Sequence, residues 1–275
     1  MTTALRPLST GELLDRTFSL YRSHFGLFVG IFALPYLIVL AFQLVGLVFQ
    51  TPVPQLSNAL ITLAWSFGAG ILSLVVSAAS QAAAVVAVSN LHLDRPASIA
   101  DSFSRVRGQI LGVMVLSFII TMAAGVACFA LLVPGILLFI LWSLAVPTKV
   151  LEHKSIFDSM SRSMELTQGS RGRIFVIGLL ILVLTVGVSW LLQWPILIAA
   201  GFSMKGGVKG ISIGWQLASL VAAFISRSLV GALATIALSL VYYDQRVRKE
   251  AFDLQLMMTT IDATPLSSFP AQVGA

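Results

Sequence analysis

The sequence predicts an all-α integral membrane protein with six transmembrane helices in three hairpins. Each hairpin is preceded by an amphipathic helix lying in the cytoplasmic-side interface. Three observations predict this. First, the chain is 57% hydrophobic and only 10% charged over 275 residues, whereas a soluble domain carries about 25% charged residues. Second, six apolar runs reach the roughly 20 residues that cross a bilayer. Third, the charges are confined to alternate loops.

The apolar runs are 25–49, 61–89, 110–131, 133–150, 174–202 and 216–243. Hydrocarbon offers no partner for a backbone N–H or C=O, so each run is helical. The third and fourth meet at Val133-Pro134-Gly135, where proline suits the first turn of the returning helix. Pro35, Pro147 and Pro195 fall within or at the ends of runs, where kinks are expected. The first run starts near Phe25 and is too long for the apolar region of a cleavable signal.

Segments 50–60 and 131–135 carry no charge, and 203–215 carries only Lys205 and Lys209. Apart from these two and Arg227, every Lys and Arg lies at the start, in 90–109, in 149–173 or at the end. All eleven acids lie there too. The positive-inside rule makes that side cytoplasmic, with both termini on it. The expected organisation is one membrane domain over 1–262 and a small, polar, disordered tail over 263–275.

A stripe of apolar residues precedes each odd-numbered run: Leu14, Phe18, Tyr21 and Phe25; Ile99, Phe103, Val106 and Ile110; and Phe157, Met160 and Met164. These spacings mark one face of a helix. Basic residues on the other face suit the headgroup plane. Ser98-Ile99-Ala100-Asp101-Ser102-Phe103-Ser104-Arg105 parallels Ser155-Ile156-Phe157-Asp158-Ser159-Met160-Ser161-Arg162, and Lys249 to Asp253 gives a weaker echo. A pseudo-threefold repeat of helix plus hairpin is the expected plan. Gly26/Gly30 and Gly108/Gly112 are spaced for close helix crossing.

No pattern supports catalysis. Gly210-Ile211-Ser212-Ile213-Gly214 fits a nucleophile elbow, but it lies in an outer loop. His24, His92 and His153 lie across a hydrocarbon core about 30 Å thick. The histidines show no metal-ligand spacing, and no phosphate-binding glycine loop precedes a soluble unit. The lone Cys128 excludes a disulfide framework. No cofactor or metal is expected. The net charge of +6 sits beside apolar runs, so its partner is the membrane surface and not nucleic acid.

Arg227 stands near the middle of the last run, in Ile225-Ser226-Arg227-Ser228-Leu229. A guanidinium there costs at least about 2.5 kcal/mol on insertion scales. It is expected to face the bundle interior, with Gln81, Gln43 and Gln193 or backbone carbonyls as partners. Its planar fork matches a phosphate or another anion.

Two terminal blocks carry a resemblance. Leu8-Ser9-Thr10-Gly11-Glu12-Leu13-Leu14-Asp15-Arg16-Thr17-Phe18-Ser19-Leu20-Tyr21-Arg22 opens the chain. Tyr242-Tyr243-Asp244-Gln245-Arg246-Val247-Arg248-Lys249-Glu250-Ala251-Phe252-Asp253-Leu254 follows the last run. With Val146-Pro147, Leu151-Glu152, Arg162-Ser163 and Leu166-Thr167 between them, the chain resembles the bacterial glycerophosphodiester phosphodiesterase membrane-domain family. The closing block departs at Gln245, where leucine is expected, and at Ala251, where glycine is expected. The resemblance implies a bacterial inner-membrane domain without the soluble phosphodiesterase barrel, and it brings no catalytic residues.

Glu12, Asp15 and Arg16 of the opening block are expected to pair with Asp244, Arg246, Arg248, Glu250 and Asp253 of the closing block across the inner face. The expected function is non-enzymatic: binding or handling a lipid or amphiphile, or scaffolding a membrane or cytoplasmic protein partner. The alternatives are a transporter with a central cavity and a lipid-active membrane enzyme.

Overall fold

The computed structural model describes residues 8–49, 56–205 and 213–250. Ten helices make up these residues: α1 (Thr10–Ser23), α2 (Phe25–Phe49), α3 (Leu56–His92), α4 (Ile99–Val106), α5 (Ile110–Ala130), α6 (Leu132–Leu141), α7 (Ala145–Glu152), α8 (Ile156–Thr167), α9 (Arg171–Lys205) and α10 (Ile213–Glu250). Among the described residues there is no strand. Six stretches are long and apolar enough to cross a membrane, the fourth of them running through α6 and α7. The expected tail over 263–275 and the Ser212 loop lie outside the described residues.

α3 and α10 hold the centre. At 37 and 38 residues, each is roughly 55 Å long. That exceeds a hydrocarbon core of about 30 Å, so their last turns stand beyond the apolar belt. Every residue from Ala82 to Val88 on α3 and from Ser239 to Gln245 on α10 is buried. A run of that length points in all directions, so both helices are surrounded at this end. The alanines at 82, 83, 84 and 87 permit the close approach. We call this the charged end, because Asp244, Arg246, Arg248 and Glu250 leave α10 here.

α2 runs antiparallel to both. Phe42 stacks on Trp65 of α3 at 4.3 Å between ring centroids. Phe32 fills the space beside Gly231 of α10, and Tyr36 lies under Arg227 one turn further along. α3 and α10 are therefore parallel, with Ser89 and Tyr243 hydrogen-bonded at 2.7 Å near the charged end. α9 packs on α10 through Ser189 and Ser226, whose hydroxyls are 2.8 Å apart. Gly135 of α6 lies directly on the Cys128 backbone of α5.

The fourth span is not the continuous helix expected over 133–150. It breaks at 142–144 between α6 and α7. Pro147 contributes to the break, although α2 and α9 run unbroken through Pro35 and Pro195. It lacks the N–H that would reach Ser143, and its ring crowds that carbonyl. Ser163 of α8 fills the gap: its hydroxyl donates to the Leu141 carbonyl (2.7 Å) and accepts the Leu144 N–H (3.1 Å).

α1, α4 and α8 begin alike. Ser9, Ser98 and Ser155 are N-caps, each accepting the backbone N–H three residues on, from Glu12, Asp101 and Asp158. At Ser9 the Glu12 carboxylate also accepts the cap N–H, completing a capping box. The positions four and eight beyond each cap are buried: Leu13 and Thr17, Ser102 and Val106, Ser159 and Ser163.

The apolar stripes divide between the bundle and its outer surface: Phe18 is 47% and Phe157 74% exposed, while Val106 and Met160 are buried and Leu14, Tyr21 and Phe103 pack against the core. Small hydroxyl residues allow close packing and bond back to their own helix: Thr17 to Leu13, Ser102 to Ser98, Ser159 to Ser155. The glycine pairs are corrected as well. Gly30 meets Ile99 and Gly112 meets Lys149, but Gly26 and Gly108 have no neighbour close enough to use them.

Candidate functional site

Two loci stand out. The first is Arg227. It is exposed, and its guanidinium carbon lies 5.6 Å from the centroid of the Tyr36 ring. It does not turn into the packed interior as expected. Among the described residues it has no carboxylate and no hydrogen-bond acceptor; the Tyr36 ring is its protein contact.

The expected glutamine partners stand elsewhere. The Gln81 amide donates to Ser77 at 2.8 Å. The register set by Ser89 and Tyr243 puts Gln81 about two turns, roughly 12 Å, nearer the charged end than Arg227. Gln193 lies one turn along α9 from Ser189, away from the charged end, and Gln43 two turns along α2 from Tyr36 in the same direction. Both are half-buried.

Five N–H donors on a cation, with no anion to receive them, are a costly arrangement in an apolar belt. Ser228, the next residue, is buried and its hydroxyl lacks a partner. This stretch of α10 can accept the oxygens of an anion and has none from the protein.

The second locus is the charged end, where two clusters adjoin. In one, the Asp244 carboxylate is wholly buried and accepts the Leu8 N–H (2.7 Å), Arg248 Nε (3.0 Å) and Arg173 Nη1. Both arginines also donate to the Leu8 carbonyl, at 2.7 Å from Arg173 and 2.6 Å from Arg248. One carboxylate thus ties the segment before α1 to α9 and α10.

In the other cluster, Arg162 bonds Glu250 and Glu165 and stands 3.5 Å from Glu152. Tyr242 donates to Glu152 at 2.9 Å, and Arg246 donates to Glu250 at 2.9 Å. Lys154 completes the ring on Glu152 at 3.0 Å.

One link between the opening and closing blocks runs through the Leu8 main chain and the Asp244 carboxylate. Glu12 caps its own helix. Asp15 is exposed and has no ion pair among the described residues. Arg16 lies within electrostatic reach of His92. Arg246 takes Glu250 from its own helix, and Asp253 lies outside the described residues.

Arg173 and Arg162 were not singled out from sequence as members of this network. Arg173 sits in an ordinary basic segment, and its partner is 71 positions away, so no local pattern marks it.

Tyr21 joins α1 to α10 near Arg227. Its hydroxyl donates to the Leu229 carbonyl at 2.8 Å, and burial pushes its pKa up, so it stays a donor. The acids and histidines that a lipid-active enzyme would gather take separate partners. His153 meets Gln109 at 2.7 Å, His92 stacks on Tyr243 and Glu152 belongs to the arginine cluster. No cluster able to hold a metal forms among the described residues.

Compared with protein-family models, with characterised proteins and with solved structures, the chain matches none.

Proposed function

We propose that this chain is a non-enzymatic, multi-pass protein of the bacterial inner membrane that binds an amphiphile carrying an anionic head, with Arg227 as the anchor. The observation that carries the reading is the unanswered guanidinium of Arg227 in the sixth apolar stretch. A cation there needs a counter-charge, and a lipid phosphate or carboxylate offers one in the geometry of the guanidinium fork.

The charged end faces the cytoplasm in this reading, with both termini, as the basic loops require. Three units, each a capped short helix followed by a helical hairpin, build the domain. The shared serine caps and shared buried positions of α1, α4 and α8 support that repeat. Exposed Phe18 and Phe157 support placing α1 and α8 at the inner interface, where aromatic faces meet lipid. The family resemblance belongs to the same proposal. Leu8 of the opening block and Asp244 of the closing block are bonded to each other, which gives both blocks a common structural use.

The test is native mass spectrometry of the protein extracted gently with its lipids, wild type against Arg227→Ala. An anionic lipid or metabolite retained by wild type and lost from the variant is expected. Equal retention by both rejects Arg227 as the anchor.

A further inference from the structure

α1 crosses α10 at the charged end. At its start, Asp244 of α10 accepts the Leu8 N–H at 2.7 Å, and Arg173 of α9 and Arg248 of α10 both donate to the Leu8 carbonyl. Near its finish, Tyr21 donates to the Leu229 carbonyl of α10 at 2.8 Å. One residue, His24, then joins α1 to α2. The helix thus passes from α9, over α10, to α2.

One stripe of α10 runs under this crossing and out beyond it. Seven residues make close to two turns, so Arg248, Val241, Ala234 and Arg227 follow one another along one side of the helix. Arg248 holds Leu8, and Val241 is 1% exposed. Arg227, two residues before the carbonyl that Tyr21 grips, is exposed. Ser226 with Ser189 places α9 on one flank of the stripe, and Arg227 with Tyr36 places α2 on the other. α1 therefore covers this side of α10 towards the charged end, and Arg227 stands where the cover stops.

The cover is lightly seated. Leu13 and Thr17 are the buried residues among the fourteen of α1, whereas every residue of α10 from Ser239 to Gln245 is buried. A helix with little buried surface opens at a lower cost than the core beneath it. Its join to α2 is a single residue whose ψ of 37° leaves the helical region, and such element-terminal positions are where chains hinge. Polar bonds fasten it at both ends.

We infer that α1 is a strap, hinged at His24 and fastened at Leu8 and Tyr21, which closes the approach to Arg227 from the charged end. With the strap released, the anionic head of an amphiphile passes along α10 between α2 and α9 to the guanidinium. With the strap fastened, a bound head is kept there. The inference rests on the reading of Arg227 given above and adds how access to that residue is regulated.

The experiment uses the full chain in phosphatidylcholine nanodiscs. Hydrogen–deuterium exchange first reads the strap without added ligand. In wild type, the amides of α1 are expected to exchange faster than those of α10 from Ser239 to Gln245. Tyr21→Phe removes one hydrogen bond and should raise exchange in α1 by about two- to tenfold, leaving that part of α10 unchanged. Arg248→Gln loosens the other fastening and should act in the same direction, which keeps the test decisive if either variant folds poorly. Lysophosphatidylglycerol is then added and its binding followed in time by native mass spectrometry. Both variants should take it up faster than wild type, by a factor similar to the rise in exchange.

An α1 that exchanges as slowly as the α10 core, or that neither variant loosens, overturns the strap. Faster exchange with an unchanged rate of uptake overturns its role in access. Arg227→Ala judges the other reading separately. Uptake equal to wild type rejects Arg227 as the anchor, while the exchange measurements still decide whether α1 opens as a unit.

Discussion

The hydroxyl of Ser163 takes the amide proton of Leu144 at 3.1 Å and bridges the two halves of the broken fourth span. The same hydroxyl gives its own proton to Leu141. Ser163→Ala leaves a buried N–H and a buried C=O unmatched. An unsatisfied buried group costs about 1–3 kcal/mol, so the variant should melt earlier than wild type in detergent. Ser161→Ala, outside this contact, is the control. Equal melting of the two variants would show that the break does not depend on Ser163.

Asp244 holds three donors from three parts of the chain: Leu8, Arg173 and Arg248. Removing one partner from a buried charge pair costs about 3–5 kcal/mol. Asp244→Ala should be among the most damaging substitutions in the protein. Asp15→Ala, on an exposed carboxylate, should fall within about 0.5 kcal/mol of wild type. Limited proteolysis offers a direct readout, because the segment before α1 should become accessible in Asp244→Ala first.

Gln245 should respond in the opposite direction. It is fully buried, and both its amide nitrogen and its amide oxygen lack partners. Replacing an unsatisfied amide by an apolar group of similar size removes that cost. Gln245→Leu, an apolar side chain of similar size, should raise the melting temperature. A lower value would show that the amide has a partner essential to the fold.

Two glycines should separate by what surrounds them. A Cβ on Gly135 would stand 2.5 Å from the backbone nitrogen of Cys128 and 2.6 Å from its Cα, and backbone cannot step aside. A Cβ on Gly231 would meet the Phe32 ring at 2.7 Å, and a ring can turn. Gly135→Ala should therefore push α5 and α6 apart and destabilise the protein by more than Gly231→Ala does. Comparing the two melting temperatures checks the order.

Much of this was legible in the chain itself. Where the apolar runs lie follows from the length of a bilayer and the need to pair every backbone group. The start of α1 is written in Ser9-Thr10-Gly11-Glu12, a capping signature that needs no tertiary information. Pro147 marked the weak point of the fourth span. Which face of α1 and α8 turns to the bundle was not legible in the apolar spacing, for a physical reason. Apolar periodicity locates a core when water lies outside. Beside lipid, Phe18 and Phe157 gain nothing by turning inward, and small Thr17, Ser159 and Ser163 pack more closely.

The sequence by itself determined that the described chain is helical, which stretches are long and apolar enough to cross a membrane, and where the charges collect. These are properties of single segments, settled by transfer energies and backbone hydrogen bonding. Only the tertiary structure decided which charges meet and which face of each short helix is buried. Those depend on contacts such as Leu8 with Asp244 and Ser89 with Tyr243, between residues 236 and 154 positions apart. No local pattern encodes such pairs, because their energy exists only once the helices have packed.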